Sequence, residues 1–344
     1  MHEDRMSPKE RIGAFLSGQP LDRFPCVPLV LNHSARVAGV QVGDHNRDGR
    51  IMGQCHVKAY RRYGQDLITI FSDTAVTAEA MGTQLYYPGD DVPRVQTPAV
   101  SDPGDLSRLV RATPDDGRLP VYIEAIRTAV AEIGDEVFVT CCLAAPFTTA
   151  ACLRGTDQLA RDLYRNKELA HHLLRMSLDV SKDVVDAVVD AGGIPIVVDP
   201  VATGSVLGER QFREFALPYL KELHAHIARR NLPPMLHICG QTSRILDAMI
   251  ESTAALLSLD DIPMAEARDR AGDRVALMGN VRPAQTLLQG TPDDVRREVR
   301  ALCEVGRTCS RGFVLGSGCE VPIGTPSQNI EAMMGAAREY GWLS

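Results

Sequence analysis

The sequence predicts a (β/α)8 barrel. Short runs of Val, Ile and Leu recur along the chain, and longer stretches with helical spacing of apolar residues separate them. Runs without polar alternation are what strands covered on both faces of a parallel sheet require. No Gly-x-Gly-x-x-Gly turn follows any run, which disfavours an open doubly wound sheet, the nearest competing architecture.

In chain order the runs are Phe24–Leu31, Asp66–Phe71, Glu136–Cys142, Gly193–Asp199, Pro233–Cys239, Ala254–Leu259, Arg274–Met278 and Gly312–Gly316. Between them, Lys167–Ala191 repeats apolar residues every three or four positions and stops at Gly192-Gly193, a suitable helix C-terminus. Glu209–Arg230 and Asp293–Arg311 have the same spacing. Thr291-Pro292 gives the latter an N-cap hydroxyl and a proline in the first turn. The 344 residues exceed the ~250 typical of this fold, so one barrel domain over residues 1–344 has room for additions. We expect a helical extension over residues 1–23. Ala80–Ser107, with four prolines and a Gly-Asp-Asp, reads as an inserted loop.

Composition removes several function classes. There are 37 Lys and Arg against 44 Asp and Glu, a net charge of −7, and no basic run. Nucleic-acid binding is therefore disfavoured, because displacing counterions from phosphates needs a basic stripe. No apolar run approaches the ~18 residues of a membrane span, so no membrane role is expected. The charged MHEDRMSPKERIG start lacks a signal-peptide core, and the nine cysteines include no C-x-x-C. A reducing cytoplasm is expected, where cysteines pack, react or bind metal.

In such a barrel, reactive groups sit where strands end. Those positions hold Asp199, His237-Ile238-Cys239-Gly240, Asp260-Asp261, Asn280 and Cys319. His237 and Cys239 are two apart on a strand, so both point to one face and can reach one ion. Imidazole and thiolate suit zinc, and Cys319, in a Gly-rich turn, is the best third ligand. Three protein ligands leave a fourth position open, as in catalytic zinc sites. On spacing alone a buried, packed His and Cys is an equally good reading. Cys141 and Cys142 are adjacent, so at most one faces the barrel interior. Cys26, Cys55, Cys152, Cys303 and Cys309 read as small hydrophobes. His171 and His172 are expected to face solvent. His224 and His226 point in different directions on a helix and make a poor metal pair.

HICGQTSRILDAMIES, LLSLDD, VALMGNVRPAQTLLQGTPDDV and GFVLGSGCEVPIGTPSQNIEAMMGAAREYG together resemble the uroporphyrinogen decarboxylase superfamily. More narrowly, they are similar to its zinc-dependent corrinoid methyltransferase branch, which includes the methylcobamide:coenzyme M methyltransferases. That branch's His-x-Cys followed far downstream by Cys is matched by His237, Cys239 and Cys319. DLITIFSDTAVTAEAMG and DPVATGSVLGERQFREFALPYLKEL extend the resemblance over most of the chain, and the Gly-Asn-Val-x-Pro at Gly279–Pro283 belongs to the superfamily as a whole. Uroporphyrinogen decarboxylases need no metal and carry an arginine-rich motif that grips a polycarboxylate. Here the equivalent stretch reads CVPLVLNHSARVAGV, with Arg36 its one arginine. A polycarboxylate would lose its clamp, so a metal-free lyase of that type, the rival reading within the superfamily, is disfavoured.

The resemblance implies one Zn2+ per chain and methylcobalamin or another methyl-Co(III) corrinoid as co-substrate. No Asp-x-His-x-x-Gly motif is present, so the corrinoid is expected on a separate small corrinoid-binding protein that docks over the barrel mouth. The small-molecule acceptor is a coenzyme M-like thiol, homocysteine, another thiol or tetrahydrofolate. Asp260 is the first candidate for a displaceable fourth ligand, with Asp261 second and water the alternative. Asp260 reads equally as the cap of a helix beginning near Pro263. Asp73, Glu79, Asp199 and Asn280 are expected to line the pocket, bind substrate or hold the ligands, although helix capping explains such positions as well. Arg244 and Arg282 follow key strand ends and are candidates to meet an anionic acceptor.

Overall fold

The computed structural model describes residues 3–343. Residues 1, 2 and 344, which the expected domain spans, lie outside the described residues. Eight strands form the barrel: β1 (Cys26–Val27), β2 (Leu67–Ile70), β3 (Phe138–Ala144), β4 (Ile194–Val198), β5 (Met235–Gln241), β6 (Leu256–Asp261), β7 (Ala276–Val281) and β8 (Phe313–Ser317). Each overlaps one of the apolar runs. The pairing order is β2-β3-β4-β5-β6-β7-β8-β1, parallel throughout. Registers such as Met235 beside Leu256 and His237 beside Ser258 place alternate residues in common layers.

Between β1 and β2 there is no ladder. One backbone bond closes the seam, from Asp66 N–H to the Cys26 carbonyl (3.0 Å). The Asp66 carboxylate accepts from Cys26 N–H in return (2.6 Å). Two guanidiniums with 0% exposure, Arg11 and Arg23, then meet Asp66 at 2.5 and 2.6 Å. Arg11 also pairs with Asp22 at 2.8 Å. Burial alone would raise the Asp22 pKa, but the Arg11 bond and two backbone N–H donors hold it well below the ordinary carboxylate range. This buried network seals the end of the barrel where the strands begin.

Helix Pro8–Leu16 covers that end. It starts with a reciprocal Ser7–Glu10 capping box and has a proline in its first turn. Helix Lys167–Asp190 follows the expected bounds to within a residue. The expected helix over 209–230 is instead two, Glu209–Phe215 and Leu217–Arg229. The break at Ala216 comes from Pro218, which has no N–H to continue the ladder. Helix Pro292–Gly306 begins at the predicted Thr291 cap, with an Asp294 capping box, but ends five residues before Arg311. Gly306 lies flat against the Phe313 ring, where a Cβ would be 2.3 Å away, so the chain must turn here to enter β8. The 80–107 insertion contains an antiparallel hairpin, Gln84–Tyr86 with Arg94–Thr97. Among the described residues, no helix is long and apolar enough to cross a membrane.

Candidate metal centre

His237 and Cys239 project to the same face near the end of β5, and Cys319 follows β8. One ligand atom from each lies within 4.8 Å of the others. The expected trio is thus brought together from strand ends far apart in sequence. His237 Nδ1 is 3.0 Å from Ser258 Oγ on the neighbouring β6. When Nδ1–H donates to that hydroxyl, Nε2 keeps its lone pair for a metal.

Backbone geometry makes the approach possible. The β5–β6 register shifts between Ile238 and Gln241, and Gly240 takes φ +70°, a conformation that favours glycine. Gly240 N–H donates to Asp260 Oδ2 (2.8 Å). On the other side, a Cβ on Gly318 would sit 2.6 Å from Asp260 Oδ1, so a larger residue here would displace this carboxylate. Ser317 Oγ donates to the Cys319 carbonyl (2.7 Å) and accepts from Leu29 N–H (2.9 Å).

The two thiols lie close enough to perturb each other. Hydrogen bonding to Cys319, against the effect of burial, holds Cys239 below the ordinary thiol value, and the same bond together with burial pushes Cys319 up. For His237, burial acts downward, but its bond to Cys319 and the nearby Asp260 prevail and raise it. One imidazole nitrogen and two thiol sulfurs are a donor set that fits a zinc ion.

Asp260 is outside the three-atom cluster, its Oδ2 engaged by Gly240 N–H. Asp261 is exposed. Asp199 has 0% exposure and its backbone N–H bonds the His237 carbonyl (2.9 Å). Its Oδ1 accepts from Thr148 N–H and O–H at 2.9 and 2.7 Å, while Oδ2 has no partner. Burial, opposed by the Thr148 bonds, pushes this carboxyl up to about 7. Asn280 ties down the loop after β6, its amide donating to the Asp260 and Ile262 carbonyls (2.8 and 2.7 Å).

Asp73 and Glu79 stand apart, both engaged by Arg118. The buried guanidinium meets Asp73 Oδ2 at 2.8 Å and Glu79 Oε2 at 2.6 Å, and Tyr87 OH also donates to Glu79. Arg244 and Arg282 are exposed, the latter 3.1 Å from Glu298. His172 is exposed as expected, whereas His171 is half-buried, stacked on Phe215 at 4.7 Å and bonded to Tyr219. That correction follows from the aromatic neighbours on the 209–229 helices, which sequence spacing does not locate.

Sequence reasoning missed three residues. Ser258 orients His237 through the strand register. Arg118 neutralises the two carboxylates. Glu320, beside Cys319, is half-buried, and its Oε1 accepts from Asn32 N–H and side-chain N–H (3.0 and 2.9 Å). Burial, against those bonds, pushes it up to about 7. Adjacency to Cys319 in GSGCEVP was the one signal available for it. Below the cluster lies a cavity of about 210 Å³ whose lining includes His237, Cys239, Cys319 and Glu320. Cys142 lines it too, whereas Cys141 is buried outside the lining, as the opposed faces of adjacent strand residues require.

Fold and cluster together define a (β/α)8 barrel with a His-Cys-Cys cluster at its C-terminal mouth. The chain belongs to the uroporphyrinogen decarboxylase (URO-D) family, whose sequence profile matches residues 7–340. A methylcobamide:CoM methyltransferase of Methanosarcina acetivorans is 26% identical over 341 residues, 97% of this chain and 98% of its own. A uroporphyrinogen decarboxylase of Xanthomonas euvesicatoria pv. vesicatoria is 30% identical over 315 residues, 86% of each chain. A solved structure described as a methyltransferase from Methanosarcina mazei is similar with TM-score 0.89 and 25% identity, covering 98% of this chain and 99% of that one. Overall identity does not separate the two activities among the relatives, so the site residues must.

Proposed function

We propose that the chain is a zinc-dependent methyltransferase that moves a methyl group from a methyl-Co(III) corrinoid, presented by a small separate protein, to a thiol. The observation that carries this reading is the convergence of His237, Cys239 and Cys319 to within 4.8 Å. A zinc ion held by these residues supplies Lewis acidity that lowers the pKa of an incoming thiol from its free value of ~8.5.

The chain's own residues prepare that event. Ser258 holds His237 Nδ1, which leaves Nε2 as the nitrogen available to a metal. Gly240 N–H and the Asn280 amide fix the side chain and the carbonyl of Asp260. Asp260 is our candidate for a carboxylate that exchanges its bond to Gly240 N–H for the open position when no thiol is present. In the transfer, the acceptor thiolate attacks the methyl carbon. The S–C bond forms as the Co–C bond breaks, both electrons of the latter stay with cobalt as Co(I), and the product is a methyl thioether. The thiol proton passes to solvent when the thiol binds, before the attack.

The names of the relatives favour this reading, since several methylcobamide:CoM methyltransferases align with the chain over nearly its whole length. The decarboxylase alternative needs cations to hold carboxylates. Arg118, buried near the mouth, is engaged by Asp73 and Glu79, and no lysine or arginine lines the described cavity. The test is metal analysis with an assay of methylcobalamin and thiols. Wild type should hold about one zinc per chain, and Cys239→Ser should lose both zinc and methyl transfer. Full transfer by zinc-free protein, or chelator-insensitive release of CO2 from uroporphyrinogen, would overturn the reading.

A further inference from the structure

The interior of a (β/α)8 barrel is normally filled by layers of side chains. Here it is not. The cavity beneath the three ligands measures about 210 Å³ and continues down the barrel axis to Phe15 and Leu16 on the helix that covers the base. Its wall is made of inward-facing strand residues such as Val27, Ile196, Val198 and Val314. Empty apolar volume destabilises a core in proportion to its size, so a void this large calls for an occupant. For scale, a dry aliphatic cavity of ~150 Å³ holds one benzene ring.

Charge narrows the choice of occupant. No lysine or arginine lines the cavity among the described residues, and Glu320 does. Asp199 and Asp260 flank the ligands, each bonded to the β5 backbone. Arg118 is spent on two carboxylates, and Arg36, Arg244 and Arg282 are exposed. A sulfonate or carboxylate entering this space would lose its water and find no cation in return.

We infer that the methyl acceptor is a thiol with an uncharged, apolar tail, its sulfur at His237, Cys239 and Cys319 and its tail along the barrel axis in this cavity. The inference rests on the methyltransferase reading for the sulfur end and on the cavity alone for the tail. It departs from the coenzyme M for which several relatives are named.

Two measurements on the full chain test the two ends separately. The first is binding of toluene, which has no sulfur, followed by saturable NMR line shifts with and without zinc. Wild type should bind it in both states. Ile196→Phe and, independently, Val314→Phe should weaken binding at least tenfold while leaving zinc content and circular dichroism unchanged. Two variants guard against one that misfolds.

The second is methyl transfer from methylcobalamin to straight-chain thiols from ethanethiol to hexanethiol and to 2-mercaptoethanesulfonate. Each methylene moved from water into an apolar site is worth roughly fourfold in affinity. KM should therefore fall about fourfold per carbon until the cavity is full, and 2-mercaptoethanesulfonate should be the poorest acceptor. Wild type without saturable toluene binding, or with 2-mercaptoethanesulfonate as best acceptor, would overturn the inference. Toluene binding that Ile196→Phe abolishes, with no thiol methylated, would keep the cavity's ligand class and reject the methyltransferase reading.

Discussion

His237 has one ring nitrogen already committed, with Nδ1 3.0 Å from Ser258 Oγ. A ring fixed this way presents Nε2 without first losing rotational freedom, so Ser258 is expected to tune metal affinity without touching the ion. Ser258→Ala should weaken zinc binding by roughly 10–100-fold, measured by competition with a chromophoric chelator. At this scale the sequence was informative where chemistry is local. Two residues of separation on a strand were enough to pair His237 with Cys239, and a Gly-rich turn marked Cys319. The sequence was silent where meaning depends on a distant partner. Ser258 acquires its role only through the β5–β6 register. Asp73 and Glu79 read as pocket-lining carboxylates because nothing near them in sequence announces Arg118.

Several helices bury imidazoles. His224, on Leu217–Arg229, has Nδ1 2.6 Å from the Ser252 carbonyl and no partner on Nε2. Burial pushes it down to about 4, and His45, near Asn46 and His56, is likewise down to about 4. Unfolded, these rings take up protons near pH 6.5. Between pH 6.5 and 4 the unfolded chain therefore binds more protons than the folded one, so stability is complete above 6.5 and falls as pH drops through this window. His224 alone accounts for up to about 3 kcal/mol of that change. Urea unfolding across pH 4–7 should show a shallower decline for His224→Gln than for wild type. Element boundaries followed the apolar runs wherever periodicity changed abruptly, as at Gly192. They failed at Ala216, because apolar spacing continues unbroken across the residue where Pro218 ends the hydrogen-bond ladder.

The barrel as a whole is closed by charge where β1 meets β2. Asp66 binds two buried guanidiniums and the Cys26 N–H at once. Asp66→Asn removes the shared anion and leaves Arg11 and Arg23 underpaired in a dry setting. The expected loss is about 3–5 kcal/mol, seen as a lower urea midpoint with little change in m-value. Eight apolar runs made the barrel legible from sequence, but its closure was not, since Arg11, Asp22, Arg23 and Asp66 look like ordinary surface charges until the fold brings them together. The same seam has a consequence in time. β1 pairs on its other side with β8, Cys26 beside Leu315, so the first strand made must wait for the last. At ~5–20 residues per second of synthesis, that wait is on the order of tens of seconds. Throughout it, one edge of the nascent sheet stays open to pairing with other chains, and only the arrival of β8 removes that hazard.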